Sequence, residues 1–234
     1  MSDQNLFLIG PRLKRASLLP SGLRPFGARR AVDRVVKRGF DLSTALIALA
    51  LLLPLLVLVA LAIWVADGGS PFYSHRRVGR AQKNFGCLKF RTMRLDSQEA
   101  LARHLAENPA ALAEWTLTRK LKDDPRITPI GQVLRKSSLD ELPQLINIVR
   151  GEMSIVGPRP IVDAEIEKYG DAASDYFAVR PGLTGAWQVS GRSDTTYAER
   201  VRLDRQYVAS QSFTGDILII LRTIPAVFMV KGSY

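Results

Sequence analysis

At 234 residues the chain has room for one domain of ordinary size plus a membrane anchor, and its 33 Lys and Arg against 22 Asp and Glu give a formal charge of +11 at pH 7. One cysteine and two histidines exclude a disulfide framework or thiolate metal site, and they argue against a His-ligated metal or a serine–histidine hydrolase. Such a charge suits nucleic acid or an anionic surface, and the apolar run described next favours anionic phospholipid and phosphorylated substrates, with no nucleic acid expected.

Residues 1–36 are basic and rich in Pro and Gly (Pro11, Pro20, Gly22, Pro25, Gly27), so they are expected to be a largely disordered arm near lipid headgroups. A helix is expected to begin over Ala31–Phe40 and to feed the next segment. From Leu42 to Ala66 the chain reads LSTALIALALLLPLLVLVALAIWVA, without a charge. That exceeds the about 20 apolar residues needed to cross a bilayer core. Pro54 lies mid-run, where a missing N–H and a clash with the preceding turn kink or break a helix. Each arm beside it is roughly 18 Å of helix, the depth of one leaflet. Both flanks are basic: nine Lys or Arg stand before Leu42 against Asp3, Asp33 and Asp41, and Arg76, Arg77, Arg80, Lys83, Lys89, Arg91 and Arg94 follow against Asp67 alone. Positive residues favour the cytoplasmic side. A re-entrant hairpin over residues 37–66, broken at Pro54, satisfies both flanks; a kinked single span with its basic tail outside remains the alternative. Residues 67–234 then form the cytoplasmic domain.

Asp67-Gly-Gly-Ser-Pro71 is a turn signal, and short strands are expected at Phe72–Ser74 and Gly86–Met93 around a basic loop. Ser97–Glu107 reads as an amphipathic helix. Asn108-Pro109 and Thr128-Pro129 each read as an N-cap with proline at the first helical position. Short helices are expected over 163–169 and 171–179, and a hairpin within Pro181–Arg192, where Gly182, Gly185 and Gly191 surround Thr184–Val189. Tyr197–Ala209 reads as a helix. Thr214–Val230, interrupted by Asp216, Arg222 and Pro225, reads as an interfacial helix. The fold class is thus helix-rich α+β: a compact domain with interfacial helices, a small β-hairpin and a membrane hairpin.

Ser138-Leu-Asp-Glu141 matches a capping box, a structural reading that local pattern favours. Arg135 and Lys136 beside it change the context, because two carboxylates among cations suit a magnesium–phosphate site, and an aspartate can attack phosphorus. Arg159, between Pro158 and Pro160, has a stiff backbone that suits bidentate phosphate contact or a plain surface turn. Lys89 and Arg91 would share one strand face as a second phosphate contact or a solvated one. Asp204 shares a helix face with Tyr197, Val201 and Val208 and needs a partner, a structural arginine or a functional group. Asp123-Asp124, beside Lys120 and Lys122, reads as a solvated turn. Cys87 reads as a small buried residue.

Together these stretches resemble the bacterial sugar transferase family, the monotopic polyprenyl-phosphate phosphoglycosyl transferases. The likeness runs from about Lys37 to Tyr234. It is carried by Lys37-Arg-Gly-Phe-Asp41, Lys89-Phe-Arg-Thr-Met93, Leu139-Asp-Glu-Leu-Pro-Gln-Leu145, Gly157-Pro-Arg-Pro160, Arg180-Pro-Gly-Leu-Thr-Gly185, Ser190-Gly-Arg192 and Leu203-Asp204. Within the family it looks most like the transferases that begin exopolysaccharide synthesis. The resemblance implies transfer of a sugar 1-phosphate, galactose or glucose, from a UDP-sugar to undecaprenyl phosphate with release of UMP, at the bacterial inner membrane. It implies Asp140 as nucleophile, Glu141 as its neighbour, and Mg2+ at the pair. It places Lys89, Arg91, Arg159 and Arg192 at the phosphate and nucleotide site, and Asp204 with them as an acid of unassigned role. Two other classes stay open: a membrane-anchored scaffold, which would release no UMP, and a single-displacement glycosyltransferase, which would release UDP. No feature fixes the assembly, and a homodimer stays open.

Overall fold

The computed structural model describes residues 28–190 and 195–228. In chain order these hold α1 (Ala28–Asp67), β1 (Phe72–Val78), β2 (Asn84–Phe90), α2 (Ser97–Glu107), α3 (Pro109–Thr118), α4 (Pro129–Ser137), α5 (Gln144–Arg150), β3 (Ser154–Val156), α6 (Ile166–Tyr169), α7 (Ala173–Ala178), β4 (Gly182–Thr184), α8 (Tyr197–Ala209) and α9 (Phe213–Phe228). Among the described residues the fold is helix-rich α+β, with two small two-stranded sheets. β1 and β2 form an antiparallel hairpin, from Phe72 opposite Phe90 to Val78 opposite Asn84. β3 and β4 pair in parallel, Ser154 with Gly182 and Val156 with Thr184.

The expected break at Pro54 is corrected: the apolar run is one helix of 40 residues with Pro54 inside it. Proline removes one backbone bond, but in apolar surroundings a complete break would strand several more polar groups, so continuing the helix is cheaper. The helix begins at Ala28, upstream of the boundary expected at Lys37, and the rest of the arm expected over residues 1–36 lies outside the described residues. One face of α1 packs on the domain. Ala45, Ala48, Leu49 and Leu52 join the core with Leu145, Ile148, Met153 and Ile155, while Leu56, Val59, Ala60 and Ile63 pack with Phe90, Leu134 and Leu139. Its other face leaves Ile47, Leu51, Leu53, Leu58, Leu61 and Val65 exposed.

Both flanks of the apolar run in α1 are tied to the rest of the fold. At the first end the Lys37 ammonium donates to Asp216 in α9 at 2.6 Å and to the Val156 carbonyl at 3.1 Å. Buried Asp41 accepts from the Ser154 hydroxyl at 2.8 Å and the Ile155 amide at 3.0 Å, and the Tyr207 hydroxyl donates to Asp216 at 2.8 Å. Arg38 donates to the Ile148 and Val149 carbonyls in the last turn of α5 at 2.7 and 3.0 Å, where a cation also suits the helix dipole. At the second end Asp67 pairs with Arg91.

The caps form as the sequence implies. The Asn108 side chain accepts from the Ala110 and Ala111 amides, and Thr128 accepts from the Gly131 amide. The hairpin is placed differently: β1–β2 is the hairpin, whereas Gly182–Thr184 pairs in parallel with β3 and runs into turns over residues 186–190. Close approach explains it. A Cβ on Gly182 would lie 2.1 Å from the Gly157 amide nitrogen, so only glycine lets these backbones meet.

Candidate active site

The strongest correction concerns Ser138. It is not the N-cap of a capping box; it ends α4 in the left-handed conformation (φ 57) and makes no capping bond with its side chain. The next residues, Leu139–Glu141, form a tight 3-10 turn. Leu139 points into the apolar cluster with Ile63 and Phe90, which turns Asp140 inward to 8% exposure. α5 follows at once, so the two carboxylates sit on a short stiff link between packed helices.

The partner comes from β2. Phe85 and Cys87 fill the core on one strand face, and Lys89 is next along that face. Asn147 fixes the strand edge: its side chain accepts from the Leu88 amide at 2.9 Å and donates to the Gly86 carbonyl at 2.8 Å. Held this way, the Lys89 ammonium donates to Glu141 at 2.7 Å and to Asp140 at 3.4 Å. Burial holds the Asp140 carboxyl above its ordinary value; Lys89 offsets only part of that, and the Glu141 charge adds to it. Burial also works upward on Glu141, but Lys89, Arg159 and Arg77 together hold it below its ordinary value. Burial opposes the Lys89 charge as well, and the two carboxylates outweigh it. Two neighbouring acids displaced in opposite directions are the pattern of a working pair.

Around this pair lies an open cleft lined by Arg77, Cys87, Lys89, Glu141, Gln144, Arg159 and Gln188, among others. Arg159 reaches it because its segment hangs on β4: the Gly182 amide donates to the Pro158 carbonyl at 2.8 Å and the Gly157 amide to the Thr184 carbonyl at 2.9 Å. Cys87 is buried, and burial pushes its thiol up to about 11, so it stays neutral. Arg135 hydrogen-bonds the Thr92 hydroxyl at 2.9 Å and its charge acts on Asp140, while Lys136 is exposed.

The other candidates divide. Arg91 does not share the Lys89 face, because β2 ends at Phe90 and Arg91 turns back onto Asp67 and the Ser70 carbonyl. Arg192 lies outside the described residues. Asp204, 2% exposed, accepts from the Tyr169 hydroxyl at 2.7 Å, and burial pushes its carboxyl up to about 6. The neighbouring Arg200 guanidinium sits over the Trp187 and Tyr197 rings at 4.9 and 5.1 Å. Asp124 is not solvated but grips Arg126 through contacts of 2.6–3.1 Å. Sequence reasoning missed Arg77, Gln144 and Gln188. For Arg77 the sequence held no signal: the strand expected at Phe72–Ser74 runs on to Val78, and only that extension turns Arg76 and Arg77 to opposite faces.

Among the described residues no third carboxylate, His or Cys joins the pair to make a metal cluster. Asp140 and Glu141 nevertheless converge on one cation, the Lys89 ammonium. Two carboxylates completed by substrate phosphates and water are a donor set that suits Mg2+, so these residues fit that ion.

The family model for bacterial sugar transferases matches residues 32–230. The chain belongs to the bacterial sugar transferase family. Among its relatives, the exopolysaccharide production protein ExoY of Sinorhizobium fredii is 54% identical over 208 residues, covering 89% of this chain and 92% of that protein. The UDP-galactose-lipid carrier transferase of Erwinia amylovora is 52% identical over 202 residues, 86% of this chain and 42% of the longer relative. The UDP-glucose:undecaprenyl-phosphate glucose-1-phosphate transferase of Caulobacter vibrioides is 37% identical over 234 residues, 97% of this chain and 80% of that protein. This bacterial sugar transferase is therefore an enzyme of the phosphoglycosyl transferase type, and the Asp140–Glu141–Lys89 cluster lies within the matched region.

Proposed function

We propose that this sugar transferase moves a hexose 1-phosphate, galactose or glucose, from a UDP-sugar to undecaprenyl phosphate and releases UMP. The reaction would be the first membrane step of exopolysaccharide synthesis, at the cytoplasmic face of the bacterial inner membrane. Its relatives' names support the substrates. The observation that carries the chemistry is the pair of adjacent carboxylates, displaced in opposite directions around one lysine, in a cationic cleft.

Asp140 attacks the sugar-bearing phosphorus, the bond to the nucleotide phosphate breaks, and its electron pair leaves with UMP. The phosphosugar stays on Asp140 until an oxygen of undecaprenyl phosphate displaces it. A carboxyl held above its ordinary value is the more basic and better nucleophile once ionised, while Glu141 and Lys89 keep their charges. Asp140 and Glu141 would also hold Mg2+, which when bound would neutralise diphosphate charge. α1 is read as re-entrant, bending at Pro54 rather than breaking there, because an apolar run with both flanks tied to the same fold does not span a bilayer. Cysteines introduced beside each end should react alike with an impermeant reagent; labelling of only one end in intact cells would restore the single span.

The test is UMP release from UDP-sugars without lipid acceptor. A burst of up to one UMP per enzyme is expected, Asp140→Asn should abolish burst and turnover, and Glu141→Gln should slow both. A folded Asp140→Asn enzyme that still turns over would remove Asp140 from the mechanism. UDP release instead of UMP would point to single displacement.

A further inference from the structure

Alternation along β1 sends Arg76 to solvent and Arg77 inward, with side-chain exposures of 70% and 15%. Inside, Arg77 lines the same cleft as Lys89, Glu141 and Arg159. Its bonds are weak for a buried guanidinium. Nη1 reaches the Pro160 carbonyl at 3.3 Å, Nη2 meets His75 Nδ1 at 3.4 Å, and the Glu165 carboxylate lies 3.7 Å away.

Arginines that only hold the fold are bonded differently here. Arg126 grips Asp124 at 2.6–3.1 Å, Arg38 takes two carbonyls at 2.7 and 3.0 Å, and Arg180 takes the Gly151 carbonyl at 2.7 Å. Short bonds are what a buried guanidinium needs when the protein is its sole partner. Arg159 is like Arg77 in this respect: its guanidinium lies 5.7 Å from the Trp187 ring, and its charge opposes that of Arg77. Two like charges on one wall, each loosely bonded, form a surface that an anion would stabilise.

We propose that Arg77 joins Arg159, which the family resemblance already places at the phosphate and nucleotide site, in a two-guanidinium clamp for the phosphate that departs with the nucleoside. This inference rests on the function proposed above. When Asp140 attacks the sugar-bearing phosphorus, the bond from that phosphorus to the bridging oxygen breaks. The electron pair remains on the bridging oxygen, and the departing nucleoside monophosphate gains one negative charge without needing a proton. The clamp therefore meets more charge in the transition state and product than in the bound substrate. It serves the rate of the first step as well as affinity.

The test measures UMP affinity of the purified full-length enzyme by calorimetry, and the UMP burst rate at saturating UDP-sugar. Arg77→Gln should weaken UMP by about tenfold or more, since charge-assisted bonds are lost, and should slow the burst at least as much. Arg77→Lys keeps the charge without the fork and should fall between. Arg76→Gln, an equal charge change on the solvent face, should match wild type, and uridine affinity should be the same in all. Arg77→Gln and Arg77→Lys proteins with wild-type unfolding temperatures and UMP affinities within about twofold of wild type would overturn the clamp. A wild-type enzyme that neither binds UMP nor releases it from any UDP-sugar would overturn the proposed function itself.

Discussion

Removing the Lys37 ammonium should loosen the whole attachment of α1. Lys37 and Asp216 retain 16% and 2% side-chain exposure and meet at 2.6 Å, with Asp41 a further 3.9 Å contact. Lys37→Met keeps the aliphatic bulk but leaves two buried carboxylates without their cation. Breaking a buried pair from one side costs about 3–5 kcal/mol. At about 2–4 °C per kcal/mol for a chain of this size, the unfolding temperature in detergent should fall by about 6–20 °C. Asp216→Asn is milder, because Lys37 keeps the Val156 carbonyl and Asp41, and the new amide oxygen can still accept from Tyr207; about 1–2 kcal/mol is expected. The double variant should recover part of the loss, giving a coupling of about 1–3 kcal/mol in the cycle. The assay is tryptophan-fluorescence unfolding of the four proteins at one scan rate. A Lys37→Met protein within about 2 °C of wild type, or a cycle without coupling, would refute the reasoning.

The pH dependence of the UMP burst should report Asp140. Its carboxyl is held up by burial and only partly relieved by Lys89, so Lys89→Met should move the acidic limb to higher pH; a slower variant with an unmoved limb would separate Lys89 from that ionisation. Asp204 gives a stability prediction. Its carboxyl rises from 3.8 to about 6 on folding, so the unfolded chain ionises first and stability falls as pH rises through that window, by up to about 3 kcal/mol at this 2% exposed group. Asp204→Asn should flatten the fall, and parallel profiles between about pH 4 and 7 would contradict it.

Much of the chain could be read before folding. α8 occupies the expected Tyr197–Ala209, and the caps at Asn108 and Thr128 form where a polar side chain precedes proline. These are local effects, decided within one turn of helix. What failed was decided by distant partners. Ser138 matched a capping box, yet with Leu139 packed against Ile63 and Phe90 the serine closes α4 in the left-handed conformation and caps nothing with its side chain. Arg91 matched the Lys89 face, but Asp67 captures it where the strand stops. Arg77 could be separated from Arg76 only by the strand register, which needs β2 beside β1. Asp140 and Glu141 were legible as chemistry, while the opposite displacement of their acidities needed Lys89 brought across from another element.

The Arg38 contact with the last turn of α5 has a mechanical side. The short turn carrying Asp140 leads through α5 to the carbonyls that Arg38 holds, so the proposed nucleophile and the apolar helix are joined through one short helix. On the proposed function, that connection would set the height of the Asp140 carboxylate relative to the membrane plane in which α1 would lie. A water-soluble sugar nucleotide can approach that point from any side. A long-chain phosphate acceptor, its tail held in the bilayer, would meet it only at the one depth where its head emerges.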